Sequence, residues 1–289
     1  MDKALKDLMR FLAPLPTALS PAGRIHAPLK AILFDIYGTL FISGSGDIGV
    51  AHKRFDPSDA LDALCERYQV PWSPTEMTRK LFAAIKQTHR NKKAVGVDHP
   101  EIEIDRIWQR ILKWPDMGRI RQMAEAYEWI VNPTYPMPGL DPVLRTLRGR
   151  GILLGIISNA QFFTPRLFET FLGADTEQLG FAPDLTFYSY EHGCAKPSRT
   201  LFDRAASRLE NRGIAPGAVL YVGNDMRNDV HPAGQAGFQT ALFAGDRRSL
   251  RLHADDPVIS KTRPDLIVTD LRQILDAAMP EALPATTTI

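Results

Sequence analysis

The chain has 289 residues, of which 44% are hydrophobic and 24% charged, and a formal net charge of +2. That length holds one large domain or two small ones, and the composition is ordinary for a soluble globular protein. A charge balance this close to zero gives no case for a nucleic-acid or membrane partner, and no apolar stretch approaches membrane-spanning length.

Residues 1–28 precede the first strand. Leu5, Leu8, Met9 and Leu12 fall at helical spacing and predict a short amphipathic helix, which Pro14, Pro16 and Pro21 then break. Such an extension would rest on the core or on a partner chain, so a homodimer is one expectation. The start, Met1-Asp2-Lys3-Ala4-Leu5, lacks the basic-then-apolar layout of a secretory signal. Cys65 and Cys194 lie far apart without metal spacing and fit a reducing compartment. A cytoplasmic location is expected.

The segment Lys30-Ala31-Ile32-Leu33-Phe34-Asp35-Ile36-Tyr37-Gly38-Thr39-Leu40 carries the most information. An apolar run ends in an acid, and a Gly-Thr turn follows. This reads as a buried strand with a carboxylate at its C-terminal tip. In open α/β sheets ligands bind in the crevice beyond the strand carboxyl ends, so Asp35 is a candidate nucleophile or metal ligand. Taken alone, the same acid could equally cap the turn.

From residue 45 to 135 the pattern is helical: Pro57 to Tyr68, Pro74 to Lys92, Glu103 to Lys113 and Gly118 to Val131, with no strand candidate between them. Gly44-Ser45-Gly46 and Asn132-Pro133-Thr134-Tyr135-Pro136 bound this block and have linker composition. His52, Lys53, Arg54, His89 and Arg90 fall within it and read as a solvated face. From 136 onward strands and helices alternate. Asp141-Pro142 reads as a helix start, as does Thr164-Pro165, and Ser198 reads as the cap of a third helix. Strands are expected at Ile152 to Ile157, Leu185 to Tyr188, Val219 to Val222, Thr240 to Phe243 and Leu266 to Val268. Strands separated by helices of this length imply a parallel sheet covered on both faces. The basic run Arg247-Arg248-Ser249-Leu250-Arg251 reads as solvated surface.

Three further segments end in polar groups. Gly155-Ile156-Ile157-Ser158-Asn159 is a strand closing on a hydroxyl and an amide. Ala195-Lys196-Pro197-Ser198 places a lysine just before a helix. Val219-Leu220-Tyr221-Val222-Gly223-Asn224-Asp225 closes on polar and acidic groups, with Asp229 four residues on. In this order, over roughly residues 29 to 245, the four segments resemble the haloacid dehalogenase superfamily of hydrolases.

The resemblance implies an α/β fold: a Rossmann-like three-layer parallel sheet with an inserted helical cap domain. Residues 29–44 and 136–289 would form the core, and 45–135 the cap. It implies Asp35 as nucleophile, forming an ester that water then cleaves. Ser158 would hydrogen-bond the transferring group, with Asn159 supporting the turn, and Lys196 would neutralise developing charge. Thr39, Ser158, Asn159 and Lys196 would contact a small, phosphorylated substrate. Asp35, the main-chain carbonyl at Tyr37, Asn224, Asp225 and Asp229 would hold Mg²⁺, a hard cation suited to oxygen ligands. Asn224 stands where many relatives carry an acid, so either Asn224 or Asp225 would be the first ligand of that segment. Asp229 could alternatively cap the helix that contains His231 and Pro232.

Tyr37 departs from the phosphatase pattern, which holds a second acid there to move protons. A phenol of pKa about 10 is a poor base at neutral pH. The dehalogenase branch does carry Tyr at this position, because a halide leaves without a proton. That branch also places a Tyr six residues after the lysine, where this chain has Phe202. The resemblance therefore points first to a phosphatase, then to a metal-independent dehalogenase, then to a protein that binds ligand without turnover.

Overall fold

A computed structural model describes residues 11–45 and 57–278. The helix expected around Leu5, Leu8 and Met9, and the residues His52, Lys53 and Arg54, lie outside the described residues.

The centre of the molecule is β2 (Ala31–Phe34), an Ala-Ile-Leu-Phe run buried throughout. It is apolar at every position because both of its faces are covered. β2 pairs in parallel with β5 (Leu153–Ser158) on one side and β7 (Val219–Gly223) on the other. β6 (Phe181–Tyr188) extends the sheet beyond β5, and β8 (Gln239–Phe243) and β9 (Leu266–Val268) extend it beyond β7, all in parallel. The short β1 (Ala22–Gly23) closes one edge antiparallel to β9. The sheet order is β1-β9-β8-β7-β2-β5-β6. The expected α/β fold with a parallel sheet is what the chain adopts.

Side chains alternate across this sheet. Ile32, Phe34, Leu154, Ile156, Leu220 and Val222 face one layer. That layer includes α5 (Leu140–Gly149) and α6 (Arg166–Leu172). Leu33, Ile157 and Tyr221 face the other, where α8 (Thr200–Glu210) inserts Leu201, Phe202, Ala205 and Leu209. The sheet thus lies between two helical layers. Among the described residues no helix is long and apolar enough to cross a membrane.

Between β3 (Phe41–Ser43) and β4 (Thr134–Pro136) lie α1 (Ser58–Tyr68), α2 (Pro74–Ala94), α3 (Ile104–Leu112) and α4 (Met117–Val131). Local signals set their ends. Ser73 caps α2 by accepting from the Glu76 N–H, with Pro74 at the first helical position. Asp116 caps α4 by accepting from Gly118 and Arg119. The helices close over Trp108, fully buried and edge-on to Tyr127 at 5.2 Å.

Two expectations are corrected here. Asn132 to Pro136 is not wholly a linker: Thr134–Pro136 pairs antiparallel with Phe41–Ser43. The chain enters and leaves the helical segment along adjacent paths, and pairing satisfies backbone groups on both. Helix α5 starts at Leu140, before Asp141, and is preceded by Gly139 at φ 84°. Pro142 then sits in the first turn, where its missing N–H leaves no bond unmade. Beyond α6, β6 runs on to the four-residue helix α7 (Ser189–His192). α9 (His231–Gln235) follows β7, and α10 (Gln273–Ala277) follows β9.

Candidate active site

The sheet register builds the site. Phe34 pairs with Ile156 and with Val222, so Asp35, Ser158 and Asn224 leave three adjacent strands at the same carboxyl end. This is the crevice position expected of an open parallel sheet. A small cavity of about 80 Å³ opens there. It is lined by Asp35, Tyr37, Asn159, Lys196, Asn224, Asp225 and Asp229, together with Ser43, Asn228, Ser249 and Arg251.

Lys196 is the electrostatic hub. Its Nζ donates to Asp35 Oδ1 at 2.7 Å, to Asp229 Oδ1 at 2.5 Å and to the Tyr221 hydroxyl at 3.1 Å. Asn159 fixes its backbone: Oδ1 accepts from Lys196 N at 2.7 Å, and Nδ2 donates to Lys196 O at 3.3 Å. Burial alone would lower the lysine, but Asp229 and Asp35 hold its ammonium above the usual range. Two buried carboxylates share one ammonium, and the balance falls on Asp35. Burial pushes its carboxyl up to about 6, against the pull of Lys196 and with the push of Asp229.

Asp229 is spoken for. Besides Lys196, its Oδ1 lies 3.1 Å from the Tyr221 hydroxyl, and its Oδ2 accepts from Asp225 N at 3.0 Å. The structure therefore makes it the partner of Lys196, whereas the sequence pointed to a metal ligand or a helix cap. Gly223 permits this: a Cβ there would lie 2.3 Å from Asp229 Cγ. Asp225 is the residue that caps the following turn, accepting from Arg227 N at 2.7 Å and Asn228 N at 3.0 Å. His253, a histidine with no expected role, reaches the same oxygen at 2.9 Å. Burial, then Asp229, raises the Asp225 carboxyl.

Asn224 is held on both sides. Thr39 Oγ1 donates to its Oδ1 at 3.1 Å, and its Nδ2 donates to Ser249 O at 2.7 Å. Thr39 is fully buried and does not line the cavity; it positions Asn224 instead of facing the crevice. Ser158 is likewise fully buried and off the cavity wall, with its hydroxyl 3.3 Å from Asn159 O and a hydrogen bond that lowers Asp35. Gly38, at φ 84°, brings the turn after Asp35 against Asn224 and Ser249; a Cβ would lie 2.5 Å from Ser249 Cβ.

Tyr37 points its hydroxyl to Thr164 Oγ1 at 3.0 Å. Burial pushes the phenol far above its usual range, and the Glu128 charge pushes it further. It is a neutral hydroxyl at every pH where the protein would work.

Tyr221, Ser249 and Arg251 are among the site residues that escaped the sequence reading. Tyr221 looked like strand core, yet its hydroxyl lies 2.8 Å from Ile157 O in the Lys196 cluster. Its ring stacks edge-on against Phe202 at 5.0 Å. Ser249 and Arg251 belong to the basic run read as solvated surface, and both line the cavity. Arg248, in the same run, pairs with the buried Asp246 at 3.0 Å. Nothing in a short basic run distinguishes these positions; only the β8 crossover turns them inward.

Comparison with known proteins places the chain in a family. The family described as "Hydrolase: haloacid dehalogenase-like hydrolase" matches residues 29–237. A glyceraldehyde 3-phosphate phosphatase of Methanopyrus kandleri is 26% identical over 251 residues, covering 86% of this chain and 96% of that protein. A phosphoglycolate phosphatase of Pseudomonas putida is 26% identical over 254 residues, covering 85% of this chain and 78% of that protein. Among solved structures, a 2-haloacid dehalogenase from Pseudomonas syringae pv. Tomato shares the fold with TM-score 0.55 at 19% identity, covering 86% of this chain and 97% of that one.

Proposed function

The chain belongs to the haloacid dehalogenase-like hydrolases, and on that footing we propose that it cleaves a small organic phosphate monoester through an ester on Asp35. The carrying observation is the Asp35–Lys196–Asp229 cluster at the mouth of three parallel strands. One Asp35 oxygen is held by Lys196, which orients the carboxylate and keeps it anionic for attack on phosphorus. The named phosphatase relatives support this substrate class.

The donor set fits Mg²⁺. Asp35, Asp225, Asn224 and the main-chain carbonyl of Tyr37 offer oxygen only, and no thiol or imidazole lines the cavity. Asp229 would stay with Lys196. Among the described residues no three acidic, histidine or cysteine side chains surround one metal position. Mg²⁺ tolerates this, because it keeps several waters and needs one or two carboxylates. Ser249 Oγ is buried in the cavity wall without a protein partner, the place for a hydroxyl that holds such a water. Held by these residues, Mg²⁺ would supply neutralisation of the negative charge of substrate and nucleophile. The helices between β3 and β4 would act as the cap that excludes water and selects substrate.

Tyr37 favours a second reading. A halide leaves without a proton, so a neutral phenol beside Asp35 suits carbon–halogen cleavage without metal.

Phosphate release from a panel of monoesters, with and without Mg²⁺, beside Asp35→Asn, separates the two. Release that needs both Mg²⁺ and Asp35 supports the phosphatase. No release from any ester sinks it, and halide release from 2-haloacids without metal would then establish the second reading.

A further inference from the structure

Breaking a phosphate ester places a proton demand on the site. The leaving alkoxide must gain a proton, and the water that cleaves the Asp35 ester must lose one. None of the groups already placed meets both demands. Asp35 is the attacking group. Asp229 is bound by Lys196, Tyr221 and Asp225 N. Asp225 is bound by Arg227 N, Asn228 and His253. The Tyr37 phenol is held neutral, with its hydroxyl on Thr164.

One carboxyl outside the cluster does not line the cavity itself but is joined to its wall through two hydrogen bonds. Glu128 lies in the last turn of α4, just before the chain returns to the core. Asn132 Nδ2 donates to its Oε1 at 3.1 Å. The other end of the same amide, Asn132 Oδ1, accepts from Ser43 Oγ at 2.8 Å and from Ser45 N at 3.2 Å. Ser43 lines the cavity beside Asp35 and Tyr37. Asn132 therefore ties Glu128 to the cavity wall where the chain enters and leaves the helical segment.

We propose that Glu128 is the proton-transfer group of this site, linked through Asn132 to Ser43 of the cavity wall. This rests on the phosphatase reading above. As Asp35 Oδ bonds to phosphorus and the ester P–O bond breaks, the Glu128 carboxyl gives its proton to the leaving oxygen, which departs as the alcohol. Water then attacks phosphorus, the P–O bond to Asp35 breaks, and the Glu128 carboxylate takes the proton of that water. Phosphate leaves, and both carboxyl groups return to their starting states.

The electrostatics agree with this position. Burial pushes the Glu128 carboxyl up to about 7, with the Asn132 bond opposing. A group poised there can both give and take a proton near neutral pH. Its charge acts on Tyr37, from the turn after β2, and on Tyr127, on its own helix. One turn earlier, Glu125 is already paired with Arg166 at 2.9 Å.

The test compares the wild-type protein, Glu128→Gln, Glu128→Gln with Tyr37→Asp, and Asp35→Asn, all with Mg²⁺, from about pH 5 to about pH 9. Gln keeps the acceptor for Asn132 and removes the titration. The expected result is a kcat about 100-fold lower in Glu128→Gln, with KM within about twofold and the inflection near neutrality gone. Tyr37→Asp, which puts a carboxyl on the cavity wall, should restore at least about tenfold in that background. Wild-type turnover and an unmoved pH profile in Glu128→Gln would overturn the inference. So would a folded Glu128→Gln that Tyr37→Asp does not rescue. Wild-type release abolished by Asp35→Asn sustains the phosphatase reading in either case, whereas no release by the wild-type protein overturns both.

Discussion

Lys196 Nζ lies 2.7 Å from Asp35 Oδ1, although 161 positions separate the two residues in the chain. The contact is buried, and the same ammonium serves Asp229 at 2.5 Å. Two anions and one cation in a dry volume make each partner depend on the others.

Removing the cation therefore tests the whole cluster. Lys196→Met strands two buried carboxylates, and breaking a buried ion pair costs about 3–5 kcal/mol. Urea unfolding should show a loss of that order, and turnover should fall at least about 100-fold. A variant within about 1 kcal/mol of wild type would show that the carboxylates do not need this ammonium.

Gly223 is a steric requirement of Asp229. A Cβ at this position meets Asp229 Cγ at 2.3 Å, so Gly223→Ala must push the carboxylate off Lys196. Overpacking of this kind costs about 1–3 kcal/mol, and activity should fall with it. Gly149→Ala, where nothing lies within 4 Å of the added carbon, is the control and should leave both unchanged. Equal effects in the two variants would refute the steric argument.

Glu128 also predicts how stability follows pH. Its carboxyl is raised from 4.5 to about 7 in the folded protein. The native state thus holds this proton more tightly than the unfolded chain. The contribution is complete below the unfolded pKa near 4.5 and is lost as pH rises through about 7. Wild-type stability should fall across that window by roughly 3 kcal/mol relative to Glu128→Gln. Parallel stability–pH curves for the two proteins would contradict the shift.

Gln161 fastens the helical segment to the core. Its Oε1 accepts from Ile104 N at 2.9 Å, and its Nε2 donates to Ile102 O at 2.9 Å. Nearby, Ser189 Oγ donates to Glu101 Oε2 at 2.6 Å, and Ala195 N donates to His99 O at 2.7 Å. This strap ends one residue before Lys196. Gln161→Ala leaves two backbone groups without partners, a loss of about 1–3 kcal/mol. Limited proteolysis should then cut between residues 98 and 104 faster than in the wild type. Unchanged cleavage would show that the strap is held elsewhere.

Much of the core was legible because its signals are local. The four-residue run Ala31–Phe34 reads as a buried strand, and the helix expected from Pro74 does start there; the start expected at Thr164-Pro165 falls at Arg166, with Pro165 at the cap. The order of Asp35, Ser158, Lys196 and Asp225 along the chain was enough to indicate the family. What escaped depends on distant neighbours. Thr134–Pro136 looks like a linker because its partner, Phe41–Ser43, lies some 90 residues earlier.

The sequence by itself determined the sheet, its acidic carboxyl end and the departure at Tyr37, since apolar periodicity and strand-end chemistry act within a few residues. Which polar groups meet was decided only in three dimensions. Asp229 belongs to Lys196, Tyr221 turns a core ring into a site hydroxyl, Arg251 faces inward, and Glu128 arrives from a helix nearly a hundred positions beyond Asp35. Burial then makes each of those encounters matter, because a charge removed from water takes its protonation from whatever group the fold sets beside it.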